Sequence, residues 1–120
     1  MTKRIMVVED NDLNRKLFCD VLRANGFEVE PVADGSLVLA TARAMVPDLL
    51  IMAIQLGGVS GVDLIEAAKR DRSLSAIPVL AVTAFAAKGD EERIRAAGAE
   101  GYLSKPVSIG PFMSAVNALL

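Results

Sequence analysis

The sequence predicts a doubly wound α/β domain whose five parallel strands lie in the order 2-1-3-4-5. Three observations carry that expectation. Short apolar stretches alternate along the chain with segments whose apolar residues recur at spacings of three and four. Two of the stretches, Leu49-Leu50-Ile51-Met52-Ala53-Ile54-Gln55 and Ile77-Pro78-Val79-Leu80-Ala81-Val82-Thr83-Ala84, are apolar almost throughout, as strands covered on both faces are. The residues with chemistry in them, Glu9, Asp10, Thr83 and Lys105, fall at the ends of such stretches.

Ile5-Met6-Val7-Val8 reads as a buried strand running into the acidic loop Glu9-Asp10-Asn11-Asp12. Asp12 can cap the helix that follows, its carboxylate accepting from a first-turn N–H. That helix, Leu13 to Asn25, is expected to bury Leu13, Leu17, Phe18, Val21 and Leu22 and to end at Gly26. Cys19 then falls between Arg15 and Arg23 on the polar arc, as a partly exposed, idle thiol. Phe27-Glu28-Val29-Glu30-Pro31-Val32 alternates apolar and polar residues and contains a proline, which suits an edge strand. Asp34-Gly35 opens a second helix to Met45, with Leu37, Val38, Ala40, Thr41 and Ala44 available for packing.

Pro47-Asp48 precedes the central strand, and Gly57-Gly58-Val59-Ser60-Gly61 follows it as a glycine-rich loop, read as mobile. Val62 to Arg70 forms the third helix, with Leu64, Ile65 and Ala68 inward. The fourth strand ends at a hydroxyl, Thr83, and Phe85-Ala86-Ala87-Lys88-Gly89 links it to a charged helix from Asp90 to Ala97. Gly101-Tyr102-Leu103-Ser104-Lys105-Pro106 is the fifth strand, ending at a lysine. A last helix, Ile109 to Leu120, carries Phe112, Val116, Leu119 and Leu120 inward.

The totals narrow the function. A chain of 120 residues fits one domain spanning 1–120, and 52% apolar with 23% charged residues marks a globular protein. A net charge of -2 gives no electrostatic footing for nucleic acid or an anionic membrane. One cysteine and no histidine exclude an internal disulfide and zinc sites built on Cys and His. The chain is expected to be cytoplasmic and monomeric.

Glu9 and Asp10, Ala53, Thr83 and Lys105 are delivered by four different strands to one sheet edge, where open α/β folds place their working residues. Adjacent carboxylates in a cleft call for a cation, and magnesium prefers such hard oxygen ligands. A lysine and a threonine hydroxyl opposite them can neutralise and hydrogen-bond a phosphoryl group. Acids at a strand end are more often plain solvated loop residues, so the weight rests on the combination. The third strand brings only Ala53, which offers no nucleophile, base or ligand.

Glu9-Asp10, Thr83 and Lys105-Pro106, with Tyr102 three residues before the lysine, together resemble the receiver domain of two-component response regulators, from Met1 to Leu120. Val8-Glu9-Asp10-Asn11-Asp12-Leu13-Asn14 with Lys16-Leu17-Phe18, Ala81-Val82-Thr83-Ala84-Phe85-Ala86, and Lys88-Gly89-Asp90-Glu91-Glu92-Arg93-Ile94-Arg95 are most similar to a single-domain member that regulates the cell cycle. The resemblance implies a flavodoxin-like fold and no enzymatic turnover. It also implies phosphoryl transfer from a phosphohistidine to an aspartate ending the third strand. Magnesium would be held by Glu9, Asp10, that aspartate and the backbone carbonyl of Gln55. Thr83 and Lys105 would stabilise the phosphoryl group, Tyr102 would act as an aromatic switch, and the Lys105-Pro106 bond would be cis. A histidine kinase or phosphotransfer protein, or another regulatory protein, would dock on the first helix near Asn11, Asn14, Arg15 and Phe18.

This chain departs from the pattern at Ala53, in the acceptor position, and at Gly57, where a proline is usual. Alanine cannot attack phosphorus, and its loss of a carboxylate should weaken magnesium. The expectation is a phosphorylation-deficient regulator acting by protein contacts. The alternatives are a small magnesium-dependent phosphatase or transferase, and a ligand-sensing pseudo-receiver.

Overall fold

The computed structural model describes residues 2–84 and 89–120. The linker expected at Phe85-Ala86-Ala87-Lys88 lies outside the described residues, as do the parts of the two resemblance blocks that fall there. Strand β1 (Arg4–Val8) leads to helix α1 (Asp12–Ala24), and β2 (Glu28–Val32) to a 3-10 turn (Gly35–Leu37) and α2 (Val38–Met45). Then come β3 (Leu49–Ala53), a hairpin of β4 (Gln55–Leu56) and β5 (Val59–Ser60), and α3 (Gly61–Arg70). Strand β6 (Val79–Thr83), α4 (Asp90–Ala97), β7 (Gly101–Ser104) and α5 (Ile109–Leu119) complete the described chain.

Five strands form one parallel sheet in the order β2-β1-β3-β6-β7. With the hairpin strands set aside, this is the expected 2-1-3-4-5. Alternation along the strands divides the core in two. Ile5, Val7, Leu49, Ile51, Leu80 and Val82 pack against α1 and α5 through Phe18, Leu22, Phe112 and Val116. Met6, Val8, Leu50, Met52, Val79 and Ala81 face the other way, against residues of α2, α3 and α4. Both faces are covered, which is why β3 and β6 are buried throughout and apolar except at Thr83.

Several local expectations need correction. Asn11, not Asp12, caps α1, its side chain accepting from the Asn14 N–H at 2.9 Å. The sheet takes the row of α1 that contains Phe18, Cys19 and Leu22. The neighbouring row is left out, so Leu13 is 79% exposed and Leu17 42% exposed. Cys19 is buried, and that burial raises its thiol pKa against the lowering effect of Arg23 and Arg15. The 3-10 turn shifts the phase of α2, so Val38 and Ala42 point inward while Leu37, Ala40 and Ala44 face solvent. At the other end of the chain Leu120 is exposed.

The glycine-rich loop forms a short hairpin. Gln55 and Leu56 pair antiparallel with Ser60 and Val59 around Gly57-Gly58, and Gly58 has a φ of 81°. Gly61 then starts α3 so close to β3 that a Cβ there would lie 2.5 Å from the Ala53 carbonyl oxygen.

Candidate functional site

The carboxyl ends of β1, β3, β6 and β7 meet at one edge of the sheet, as parallel pairing requires. Glu9 follows β1 and is 1% exposed. Its backbone is fixed twice: its N–H donates to the Val32 carbonyl at 3.1 Å, and its carbonyl accepts from Arg15 Nη1 at 2.9 Å. Its Oε1 accepts from Lys105 Nζ at 2.5 Å, and its Oε2 from the Asn11 N–H at 3.3 Å. Lys105 is positioned in turn by its N–H, which donates to the Thr83 carbonyl at 2.7 Å. The ion pair thus joins the end of β1 to the end of β7, over 96 residues of sequence. Removing one member of a buried pair strands the other charge, at a cost of about 3–5 kcal/mol.

Asp10 has a different partner. It is exposed, and its Oδ2 accepts from the Gly57 N–H at 3.1 Å, tying the β1 loop to the hairpin. Gln55 opens that hairpin opposite Ser60. Ser60 caps α3, its Oγ 3.5 Å from the Asp63 nitrogen. Ala53 ends β3 and is buried. Thr83 is buried at the end of β6. Asp10, Gln55, Gly57, Thr83 and Arg93 border an open cleft of about 660 Å³.

Tyr102 lies opposite Ala81 in β7, half-buried against the core on the α4 side. Burial raises its phenol pKa, with further contributions from Glu91 and Asp90 at the start of α4. The Lys105-Pro106 peptide bond is cis, as the resemblance implied.

The four residues expected to meet a partner are placed unequally. Asn11 is exposed but acts as a cap, and Asn14 is half-exposed. Arg15 bridges the Glu9 carbonyl and the Asp12 carboxylate. Phe18 is buried, stacked on Phe112, and floors a groove of about 410 Å³ that Asn14, Leu17, Lys105, Pro106 and Val107 also line. Exposed Leu13 and Leu17 were missed as surface residues because their spacing reads equally well as core.

The chain matches the model of the response regulator receiver domain over residues 5–117. It belongs to the receiver-domain family of response regulators. This receiver is 50% identical over 120 residues to the polar-differentiation response regulator DivK of Brucella ovis, covering 100% of this chain and 98% of the relative. It is 49% identical to the DivK of Brucella anthropi, with the same coverage. Its fold is that of the chemotaxis protein CheY4 of Vibrio cholerae, with a TM-score of 0.94 at 24% identity over the whole of both chains. The receiver domain of the sensor histidine kinase PA1611 from Pseudomonas aeruginosa matches with a TM-score of 0.90 at 28% identity, covering 99% of this chain and 98% of that one. That structure has a magnesium ion coordinated in its active-site cleft.

In the chain described here the carboxylates that the resemblance implied as magnesium ligands have protein partners. Glu9 accepts from Lys105, Asp10 accepts from the Gly57 N–H, and Ala53 has no side-chain oxygen. Among the described residues no group of three His, Cys, Asp or Glu side chains comes together to hold a metal.

Proposed function

We propose that this chain is a single-domain, DivK-like receiver, spanning 1–120, that signals by binding partner proteins and does not take a phosphoryl group. The observation that carries the reading is Ala53, a methyl group at the end of β3 where the family resemblance calls for the acceptor carboxylate. Lys105 and Thr83 can offer charge and hydrogen bonds to a phosphoryl group, but neither forms an aspartyl bond. Met52 and Ile54 have no nucleophile, and the Ser60 hydroxyl caps α3. Tyr102 then stands as a switch residue whose usual trigger is missing. Magnesium binds weakly at most, through Glu9, Asp10 and the Gln55 carbonyl.

Receiver domains interact with histidine kinases and other proteins, and the DivK name links the relatives to polar differentiation. The partner in this reading is the helical dimerisation region of a histidine kinase or a phosphotransfer protein. It docks on α1 and the segment after β7, around Asn11, Asn14, Arg15 and the groove floored by Phe18. Exposed Leu13 and Leu17 supply apolar surface for that contact. The setting is the cytoplasm and the control of cell division, and the chain turns over no substrate of its own. No helix among the described residues is long and apolar enough to cross a membrane.

The test is incubation with acetyl phosphate or a phosphorylated histidine kinase, read by intact mass. The native chain should keep its mass, while Ala53→Asp should gain an acid-stable, base-labile phosphoryl adduct. An adduct on the native chain, mapped to this cleft, refutes the reading.

A further inference from the structure

We propose that Gly57 is a positioning residue that gives the Asp10 carboxylate a protein donor, for which a divalent cation must compete. The inference rests on reading Glu9 and Asp10 as the family's acidic pair. Its test reads metal affinity and amide exchange, not phosphoryl transfer, so it and the function proposed above fail separately.

Gly57 is the second place where this chain departs from the receiver pattern, in which a proline is usual. A proline has no backbone N–H. Glycine has one, and here it donates to Asp10 Oδ2 at 3.1 Å. The bond joins residues 47 apart in sequence and ties the loop after β1 to the turn of the β4–β5 hairpin. Nothing else in the turn asks for glycine at this position. The positive φ of 81° belongs to Gly58 and not to Gly57, and a Cβ at 57 would meet nothing nearer than 3.9 Å. Leu56 is already extended in β4, as the residue before a proline prefers to be. What separates glycine from proline at this turn is therefore the donor.

The hairpin is seated elsewhere as well, which keeps that donor in place. A Cβ on Gly35 would come within 3.2 Å of the Leu56 side chain and 3.0 Å of the Val59 side chain. Ser60 caps α3, and the Gly61 N–H donates to the Ile54 carbonyl at 2.8 Å. An N–H held by an anchored turn is preorganised, and its bond to a carboxylate is charge-assisted.

Ala53 and Gly57 thereby act in one direction. The first withholds a carboxylate that the resemblance assigns to magnesium. The second supplies Asp10 with a hydrogen bond that magnesium, demanding near-octahedral oxygens, has to displace or bend. Ala53→Asp alone leaves that competition standing.

Calorimetric titration with magnesium chloride, on the full chain carrying Ala53→Asp, tests this. Adding Gly57→Pro deletes the donor and should tighten magnesium at least about fivefold, the low end of coupling between two ligands. Adding Gly57→Ala keeps the N–H and should leave the affinity within about twofold, the scatter of independent sites. Equal affinity for the proline and alanine variants overturns the proposal. If Gly57→Pro does not fold, amide hydrogen exchange of the native chain decides. The Gly57 N–H should exchange about tenfold faster in Asp10→Ala than in the native chain, as loss of a bond to a charged acceptor requires. The Gly61 N–H, bonded to Ile54, should keep its rate. An unchanged Gly57 rate overturns the proposal as well.

Discussion

Phe18 of α1 and Phe112 of α5 stack face to face, with ring centroids 4.9 Å apart and planes inclined by 13°. The pair joins α1 to α5 in the core on one side of the sheet. Phe18→Ala removes this contact from a site that is 4% exposed. It should destabilise the domain by about 3–5 kcal/mol, measured by urea unfolding, with Phe18→Leu losing clearly less. A near-neutral Phe18→Ala would return the side chain to the partner surface.

Leu13 offers the cleaner test of that surface. At 79% exposure it contributes little to folding, so Leu13→Glu should leave the melting temperature within about a degree or two. Binding to a histidine kinase should weaken about tenfold or more, read by calorimetry or fluorescence anisotropy. Arg15→Glu is a poorer probe, because Arg15 also holds the Glu9 carbonyl and its reversal disturbs the site directly. Unchanged binding in Leu13→Glu would move the interface away from α1.

Gly61 separates packing from chemistry. A Cβ at this position would meet the Ala53 carbonyl oxygen at 2.5 Å and the Ile54 Cα at 2.6 Å, both backbone atoms that cannot swing aside. Gly61→Ala should therefore destabilise by about 1–3 kcal/mol or more in chemical denaturation. Gly57→Ala, whose Cβ would find only Asp10 Oδ2 at 3.9 Å, should be nearly neutral.

Asp71 predicts an acid-side loss of stability. Hydrogen bonds from the Ser73 hydroxyl, from Arg43 and from the Ser73 N–H lower its pKa to about 2. A carboxylate with a depressed folded-state pKa adds stability above its ordinary value, and that contribution disappears as pH falls through the folded-state value. The melting temperature of the native chain should accordingly fall between about pH 4 and about pH 2. Asp71→Asn should flatten that part of the profile, and an identical profile would dismiss the contribution.

The strand order was legible because runs such as Leu49–Ala53 and Val79–Val82 have the length and flanks of strands covered on both faces, and right-handed crossovers then leave few orders. The positions of Glu9, Thr83 and Lys105 at strand ends followed from the same reading. Their geometry did not. Nothing in Glu9-Asp10 says that the two carboxylates take different partners, since those are Lys105 and Gly57, which are remote in sequence. On α1, two adjacent rows carry apolar residues, and the choice of the Phe18–Leu22 row over Leu13–Leu17 is made by Phe112 and the sheet. Glycines at 57 and 58 read as a loop, whereas a two-residue turn between paired strands uses the same residues.

Strand β2 has a consequence for how molecules of this kind can meet. The Glu28 N–H donates to Lys3 and the Val32 carbonyl accepts from Glu9, so both residues face inward to the β1 side. Alternation then turns Pro31 outward, where a missing N–H breaks the row of free backbone groups. Exposed Glu30 puts negative charge beside that break, Glu28 being paired with Arg4, and the opposite border, β7, is only four residues long. A strand from a neighbouring molecule would find no continuous template on either border. Contact with other proteins is thereby left to helix faces and loops, where side chains carry the recognition and one residue can change the partner.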